Sequence, residues 1–435
     1  MRQHPLLIGL GILASCVFAG GAAGQGLIWL DQFGGSGLVD VATGVSSDST
    51  YAYVVGYTEG RLLTSWGNRA PHAGGRDAFV RCYQPTDGTL LWTQEFGTAQ
   101  DDYARAGSGP FVAGSTGGVL PGQTSAGGTD AFVAGATGEG LPLIWQFGSA
   151  GDDGALGVGV CSPLLVAVGY AGGSVPGNSH AGGKDAFVWC YSGETVAWTA
   201  EFGSPADDEA CDVDVSLGVP VVVGWTVGGL PGQPAASDRE AFVRVYSLDG
   251  TEFWTRQFGT AGDDAARAVC VASHDDVYDV YVAGSTNGAL GGQGSAGSFD
   301  VFVRKYDLLS GEQLWTRQFG SSSWDYAYDI CGDSTGVYVC GATGGALPGQ
   351  LSSGGSDYFV RKYTFDGTEL WTRQCGSAAD DEAAGISADA SGVYLAGWTD
   401  GALPGQRPAA DREAFIQKLD PGGGTCGPAS LGCLL

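Results

Sequence analysis

Basic residues are scarce in this chain. Its 435 residues include 20 Lys and Arg against 47 Asp and Glu, a formal net charge of −27. Lysine occurs only as Lys184, Lys305, Lys362 and Lys418. A nucleic-acid binder needs a basic stripe to displace counterions, and none exists here. Anionic lipid surfaces are disfavoured by the same charge. Histidine is nearly absent, with His4, His72, His180 and His274 alone. That scarcity counts against a His-based metal centre and against a Ser-His-Asp system. Long apolar runs are missing too. The longest, Leu6 to Phe18, is 13 residues, against the ~20 that a spanning helix needs. No ten-residue window repeats its apolar positions with a helical period, which disfavours a helical solenoid.

Glycine, by contrast, is abundant at 77 residues, while 43% of the chain is hydrophobic and 11% aromatic. Such a chain buries a large core and is neither collagen-like nor disordered. Arg2, the apolar run and the small residues AGGAAG at 19–24 form the pattern of a secretory leader. The expected division is a leader over 1–23, a folded body over 24–421 and a Cys-containing tail over 422–435. LASC at 13–16 resembles a bacterial lipobox, which implies lipid attachment at Cys16. Ordinary cleavage near Ala23 is the alternative. Either route takes the body out of the cytoplasm, where disulfides persist.

Three segments recur seven times each. The first is IWLDQFG (28–34), LWTQEFG (91–97), LIWQFG (143–148), AWTAEFG (197–203), FWTRQFG (253–259), LWTRQFG (314–320) and LWTRQCG (370–376). The second runs from YVVGYT (53–58) to YLAGWT (394–399), and the third from DAFVRCY (77–83) to EAFIQKL (413–419). All are short, rich in β-branched and aromatic residues, and bounded by Gly, Pro, Asp or Ser, which is strand chemistry. A weaker fourth segment, such as DEAAGISA (381–388), precedes each copy of the second. Four short strands in each of seven units predict a seven-bladed all-β propeller. The chain starts on the fourth element of a unit and ends on the third. The two ends therefore complete one blade between them, which removes an open strand edge. Trp145 and Phe147 lie two residues apart where other copies have four. A two-residue change keeps both on one face, because the strand period is two.

The pattern G-x-T-x-G-x-L-P-G-Q, then A-G-G-x-D-A-F-V-R-K-Y, then D-G-x-x-L-W-T-R-Q-F-G stands almost complete over 341–376. It resembles the bacterial β-propeller repeats called SBBP repeats, over about residues 27–420. The resemblance implies an exported or cell-surface propeller, sometimes described as S-layer-like, with no established reaction and no catalytic residues to carry over. Departures are Ala136 for Tyr, Cys375 for Phe, and the ASDRE (236–240) and AADRE (409–413) variants.

With strands lettered a to d outward from the axis, the d–a and b–c loops share one face. That face is acidic. An Asp precedes every strand a (Asp40, Asp102, Asp153, Asp208, Asp264, Asp325, Asp381), and an acid ends every b–c loop (Asp77, Asp130, Asp185, Glu240, Asp300, Asp357, Glu413). Two readings stand. One is a ring of Ca2+ sites on Asp102, Asp153, Asp208, Asp264, Asp325 and Asp381, since Ca2+ takes several oxygen ligands. The other is that each carboxylate caps its own loop. The seven strand-d tryptophans read as core. Trp66, Trp225, Trp324 and Trp398 break the repeat and are the candidates for stacking on a sugar or protein ligand. Cys331 and Cys340 face each other if the hairpin at 333–338 is symmetric; a cystine and two buried thiols are the alternatives. Cys426 and Cys433 are spaced to close a small loop.

Regular repetition with no singular constellation points to a non-enzymatic binding or scaffold protein of the cell surface, with a protein or carbohydrate partner. Two other readings compete. D-x-x-S-G-E-x-L-W at 307–315 resembles blade motifs of quinone-dependent dehydrogenases, which implies Ca2+ and a quinone, and paired carboxylates also suit a carbohydrate-active enzyme. Cys16 would make the protein a lipid-anchored assembly factor.

Overall fold

The computed structural model describes residues 26–423, apart from 36, 37, 66, 69, 194, 235–237 and 410. The leader, Cys16, Trp66, Cys426 and Cys433 lie outside the described residues. The strands form seven four-stranded antiparallel sheets. Innermost strands a are Asp40–Ser47, Asp102–Ser108, Asp153–Cys161, Asp208–Asp214, Asp264–His274, Asp325–Asp333 and Asp381–Asp389. These define blades 1 to 7 in chain order. Each strand a packs against the next, and Asp40–Ser47 packs against Asp381–Asp389, so the circle is shut. The outer strand of blade 7 is Leu27–Phe33, paired antiparallel with Glu413–Leu419 from Leu27↔Leu419 to Phe33↔Ala414. This is the closure the permuted repeats predict. One short 3-10 turn, Ser216–Gly218, is the only helical element among the described residues. No helix among them is long and apolar enough to cross a membrane.

The core is seven interfaces rather than one centre. Each apolar cluster joins two adjacent blades, as Tyr338, Val360 and Cys375 of blade 6 join Ile386, Leu395 and Phe415 of blade 7. At six interfaces the Phe of the QFG segment meets the Phe of the next blade's AFV segment edge to face. Phe96 and Phe132 are typical, with centroids 5.6 Å apart at 81°, an arrangement that aromatic quadrupoles favour. The seventh interface carries Cys375, which is disulfide-bonded, and there Tyr358 packs on Phe415 at 5.2 Å. The other described cysteines are free thiols. Cys331 pairs with Tyr338 and Cys340 with Asp329, so the register that would set the two sulfurs opposite each other does not occur. A bulge between Ala327 and Asp329 belongs to the same ladder.

The strand-d tryptophans also tie blades together. Trp29 Nε1 donates to the Pro85 carbonyl at 3.1 Å, Trp254 Nε1 to the Leu308 carbonyl at 2.9 Å and Trp315 Nε1 to the Phe365 carbonyl at 3.1 Å. Each acceptor lies in the next blade's c–d turn. Those turns carry Gly88 (φ 73°), Gly311 (φ 65°) and Gly367 (φ 81°), the left-handed backbone expected of such turns. Trp145 and Phe147 both pack into the cluster between blades 2 and 3, with Trp145 stacked on Tyr191 at 4.2 Å. The shorter spacing has kept the face.

Candidate functional site

The acidic face is built from loops that lock themselves. Asp102 accepts the Thr98 amide at 2.6 Å, Asp153 that of Ser149 at 2.6 Å and Asp208 that of Ser204 at 2.6 Å. Asp264 accepts the Thr260 amide at 2.5 Å, Asp325 that of Ser321 at 2.6 Å and Asp381 that of Ser377 at 2.6 Å. All six carboxylates are fully buried. The residue before each is often a second acid, which reaches the preceding blade. Asp101 accepts the Arg76 amide at 3.0 Å and Asp380 that of Ser356 at 2.8 Å. The d–a loop is thus tied to its own chain and to its neighbour.

The L-P-G-Q loops have a similar explanation. In blade 6 the Gln374 side chain accepts the Leu347 amide at 2.9 Å and donates to Asp357 at 2.8 Å. Gln350 of the loop accepts the Gln374 amide at 3.2 Å, and Leu347 is buried. Each b–c loop therefore folds back over the outer strand of its own blade. Acids of different strands meet, but across blades. A Cβ on Gly97 would lie 2.5 Å from Asp77 Oδ1 and 2.8 Å from Asp102 Oδ2, and one on Gly203 2.5 Å from Asp185 Oδ1 and 2.7 Å from Asp208 Oδ2. The strand-c acid of one blade and the strand-a acid of the next flank the same glycine. Two ladder steps separate strands a and c within one blade; they do not separate these.

The structure caps two of the candidate tryptophans. The Arg239 guanidinium lies 4.4 Å over the Trp225 ring and that of Arg412 3.3 Å over Trp398. Both rings are buried. Arg412 is itself held by Asp400 through two bonds of 2.9 Å. Trp324 is half-buried beside Tyr326 at 5.4 Å. The same capping places Arg76 over Tyr57 at 5.7 Å and Lys184 over Tyr170 at 3.8 Å. Where strand b carries an aromatic residue at this position the residue before the strand-c acid is a cation; where strand b carries a small residue it is not, Ser115 standing with Thr129, Ser285 with Phe299 and Ala342 with Ser356. The DRE variants and the GWT variants are one feature, a cation–π pair. That signal was present in the sequence as a co-occurrence between repeats.

The axial channel holds what the repeats do not share. A cavity of about 630 Å³ is lined by Asp212, Asp214, Asp329, Cys270, Cys331 and Ser387, among others, toward the a–b turns. The inner edges of strands a have amides without ladder partners, and these carboxylates cap them. Asp212 accepts the Val269 amide at 2.9 Å, Asp214 that of Val271 at 2.8 Å and Asp329 that of Ile386 at 2.7 Å. Each bond spans two blades. Burial lifts Asp212 to about 7 and Asp329 well above the usual carboxylate range. It also lifts the Cys270 and Cys331 thiols.

Buried acids set a pH dependence. Burial raises Asp40 to about 6 and Glu95 to about 8, and raises Asp102, Asp208, Asp264, Asp325 and Asp381. A raised carboxylate binds its proton more tightly folded than unfolded. Stability therefore falls as pH climbs from the ordinary carboxylate range through these raised values. Asp249, Asp307 and Asp366 are lowered by hydrogen bonds, so their contribution is lost only on the acid side. The melting temperature in EDTA is expected to be about 5–10 °C higher at pH 5 than at pH 8.5. A calorimetric scan checks this; a higher value at pH 8.5 contradicts it.

The fold and its loops define the class: the chain is a seven-bladed β-propeller with blades of four antiparallel strands. No known family model matches it. It is 26% identical over 231 residues to the regulatory protein FlaEY of Caulobacter vibrioides, a match covering 50% of this chain and 23% of that protein. The chain thus spans under a quarter of that relative. Among solved structures, it is similar to the Pan2 WD40 domain of Neurospora crassa, at 10% identity and TM-score 0.46, over 89% of this chain and 91% of that one. It is also similar to the quinohemoprotein alcohol dehydrogenase ADHIIG of Pseudomonas putida HK5, at 10% identity and TM-score 0.44, over 92% and 78%.

Proposed function

We propose that this is an exported, non-enzymatic propeller of the SBBP-repeat kind, acting as a binding or scaffold protein at the cell surface. The observation that carries the proposal is how the repeated polar groups are used. The strand-a acids, the strand-d glutamines of five blades and the loop glutamines are engaged by backbone amides and by each other. Repetition here builds a rigid rim, and a rigid rim of variable loops is a binding surface. The half-buried Trp324 and the strongly acidic surface suit a carbohydrate or basic-protein partner.

Expression with the native leader in a bacterial host tests the export half of the reading. The protein is expected outside the cytoplasm, either cut near Ala23 or carrying lipid on Cys16, and the mature N-terminal mass distinguishes the two. An uncut chain confined to the cytoplasm contradicts the proposal. So does a quinone absorbance in the purified protein, which would favour the dehydrogenase reading instead.

A further inference from the structure

The repeats contain an internal comparison. In five blades the strand-d residue two places before the QFG-type glycine is Gln: Gln32, Gln146, Gln257, Gln318 and Gln374. Its amide donates to the strand-c acid, as Gln146 does to Asp130 at 2.7 Å and Gln318 to Asp300 at 2.8 Å. In blades 1 and 3 that residue is Glu95 and Glu201. Five places before the strand-c acid, three blades carry Ser125, Ser295 and Ser352, and two carry Ala235 and Pro408. Blades 1 and 3 carry His72 and His180. Both replacements thus occur together, in the same two blades and in no other. Each exchange removes a donor amide and sets a second carboxylate beside the first.

The geometry shows what the exchange creates. His180 Nδ1 lies 2.9 Å from Glu201 Oε1 and 3.2 Å from Asp185 Oδ2. Its Nε2 lies 3.0 Å from the Gly183 carbonyl oxygen. A carbonyl only accepts, so Nε2 carries a proton; Nδ1, facing two carboxylates, is then either the ligating nitrogen of a neutral ring with a cation between them or a second N–H donating to Glu201. His72 Nδ1 lies 3.0 Å from Asp77 Oδ2 and 3.8 Å from Glu95 Oε2. The far oxygens are fixed by amides: Leu62 donates to Glu95 Oε1 at 2.5 Å and Val175 to Glu201 Oε2 at 2.7 Å. In blade 1, His72 Nδ1 and Glu95 Oε2 are buried with no hydrogen-bond partner. Asp77 is 0% and Glu95 3% exposed. One ring nitrogen and two carboxylate oxygens, one atom from each residue, thus lie within 4.8 Å of one another in each trio, and the Asp oxygen beside each ring, Asp77 Oδ2 or Asp185 Oδ2, is oriented by a backbone amide, that of Ala73 or Ala181.

We propose that His72–Asp77–Glu95 and His180–Asp185–Glu201 are two equivalent seats for a divalent metal ion of the Zn2+ class. One imidazole and two carboxylates are a donor set for such an ion, and the nitrogen selects it over Ca2+, which takes oxygens. Ligand atoms around a tetrahedral ion with ~2.0–2.1 Å bonds sit ~3.3 Å apart, close to the separations in blade 3. The two carboxylates match the ion's charge, and the Gly183 carbonyl fixes the tautomer and orients the ring, as partners of metal-bound histidines do. The imidazoles are 17% and 22% exposed, so each seat has an entry path from the rim. The scarcity of histidine argues against a His-rich centre; it does not touch a seat that needs one. The competing arrangement is an imidazolium, protonated on both nitrogens, that bridges the carboxylates without metal.

Metal content separates the two. Full-length protein is stripped with EDTA, equilibrated with Zn2+ at pH 7.5, freed of unbound ion and assayed by elemental mass spectrometry. Two ions per chain are expected. The variant His72→Ser with Glu95→Gln restores the pair used in blades 2, 5 and 6, and is expected to hold one. Adding His180→Ser and Glu201→Gln leaves none, while the melting temperature of the metal-free protein does not fall. Should the fourfold variant fail to fold, Glu95→Gln and Glu201→Gln alone each lose one ion. A wild-type chain that retains no Zn2+, or variants that retain two ions, overturn the proposal.

Discussion

Deleting residues 26–35 is expected to abolish cooperative thermal unfolding. The segment supplies the outer strand of blade 7, and with it Trp29 and Phe33, both buried in the cluster that joins blades 7 and 1. Losing each such aromatic costs ~3–5 kcal/mol. Gln32 goes too; it accepts the Leu403 amide at 3.1 Å and donates to Glu413 at 2.9 Å. The sum is on the order of the whole stability of a domain. Glu413–Leu419 would be left as an open edge, a template for pairing with another chain. The expected result is a broad, non-cooperative melt and oligomers by light scattering. A monomer that melts as sharply as the intact chain contradicts this.

The second large effect concerns glycine 284. A Cβ there would overlap the Ala265 carbonyl oxygen and lie 2.6 Å from Phe302 Cζ. The oxygen belongs to the backbone of the neighbouring strand, and the ring is fully buried, so neither yields. Gly284→Ala is expected to cost about 3 kcal/mol or more by overpacking. Gly294 meets nothing within 4 Å of a built Cβ, and Gly294→Ala is expected to change stability by under about 0.5 kcal/mol. Denaturant titration of both variants checks the contrast. Equal midpoints would mean that the strand-b glycine is not there for the Phe ring.

That glycine shows how far a sequence can be read. The period, the strand chemistry and the permuted ends are local signals, and they determine blades, number and closure. The reasons for the glycine are the Ala265 carbonyl on strand a and a ring arriving from strand c, both visible only once the strands are paired. The same holds for the acids. Their repetition was legible, but a carboxylate that binds an ion and one that binds its own loop look alike in sequence; that Asp102 and Asp153 accept the Thr98 and Ser149 amides is visible only in the fold. Trp225 and Trp398 stood out as non-repeating aromatics because their partners, Arg239 and Arg412, lie 14 residues further on in each case. The paired exchange of His for Ser and Glu for Gln was legible in principle, since both changes fall in the same two repeats. What was missing was the contact that makes them one feature. The channel carboxylates Asp212, Asp214 and Asp329 break a pattern of small residues in strand a, and their role as caps on the next blade's amides depends on a crossing between blades that no local pattern encodes.

Everything on the rim depends on the ring being shut by Leu27–Phe33. Hydrogen–deuterium exchange of the native protein, resolved by peptide, reads this directly. The amides of 27–33 are expected to be protected for hours, as strongly as the outer strand of blade 5, Gln313–Phe319, because both hydrogen-bond to a strand c. Complete exchange of 27–33 within seconds, with the other outer strands protected, would contradict closure.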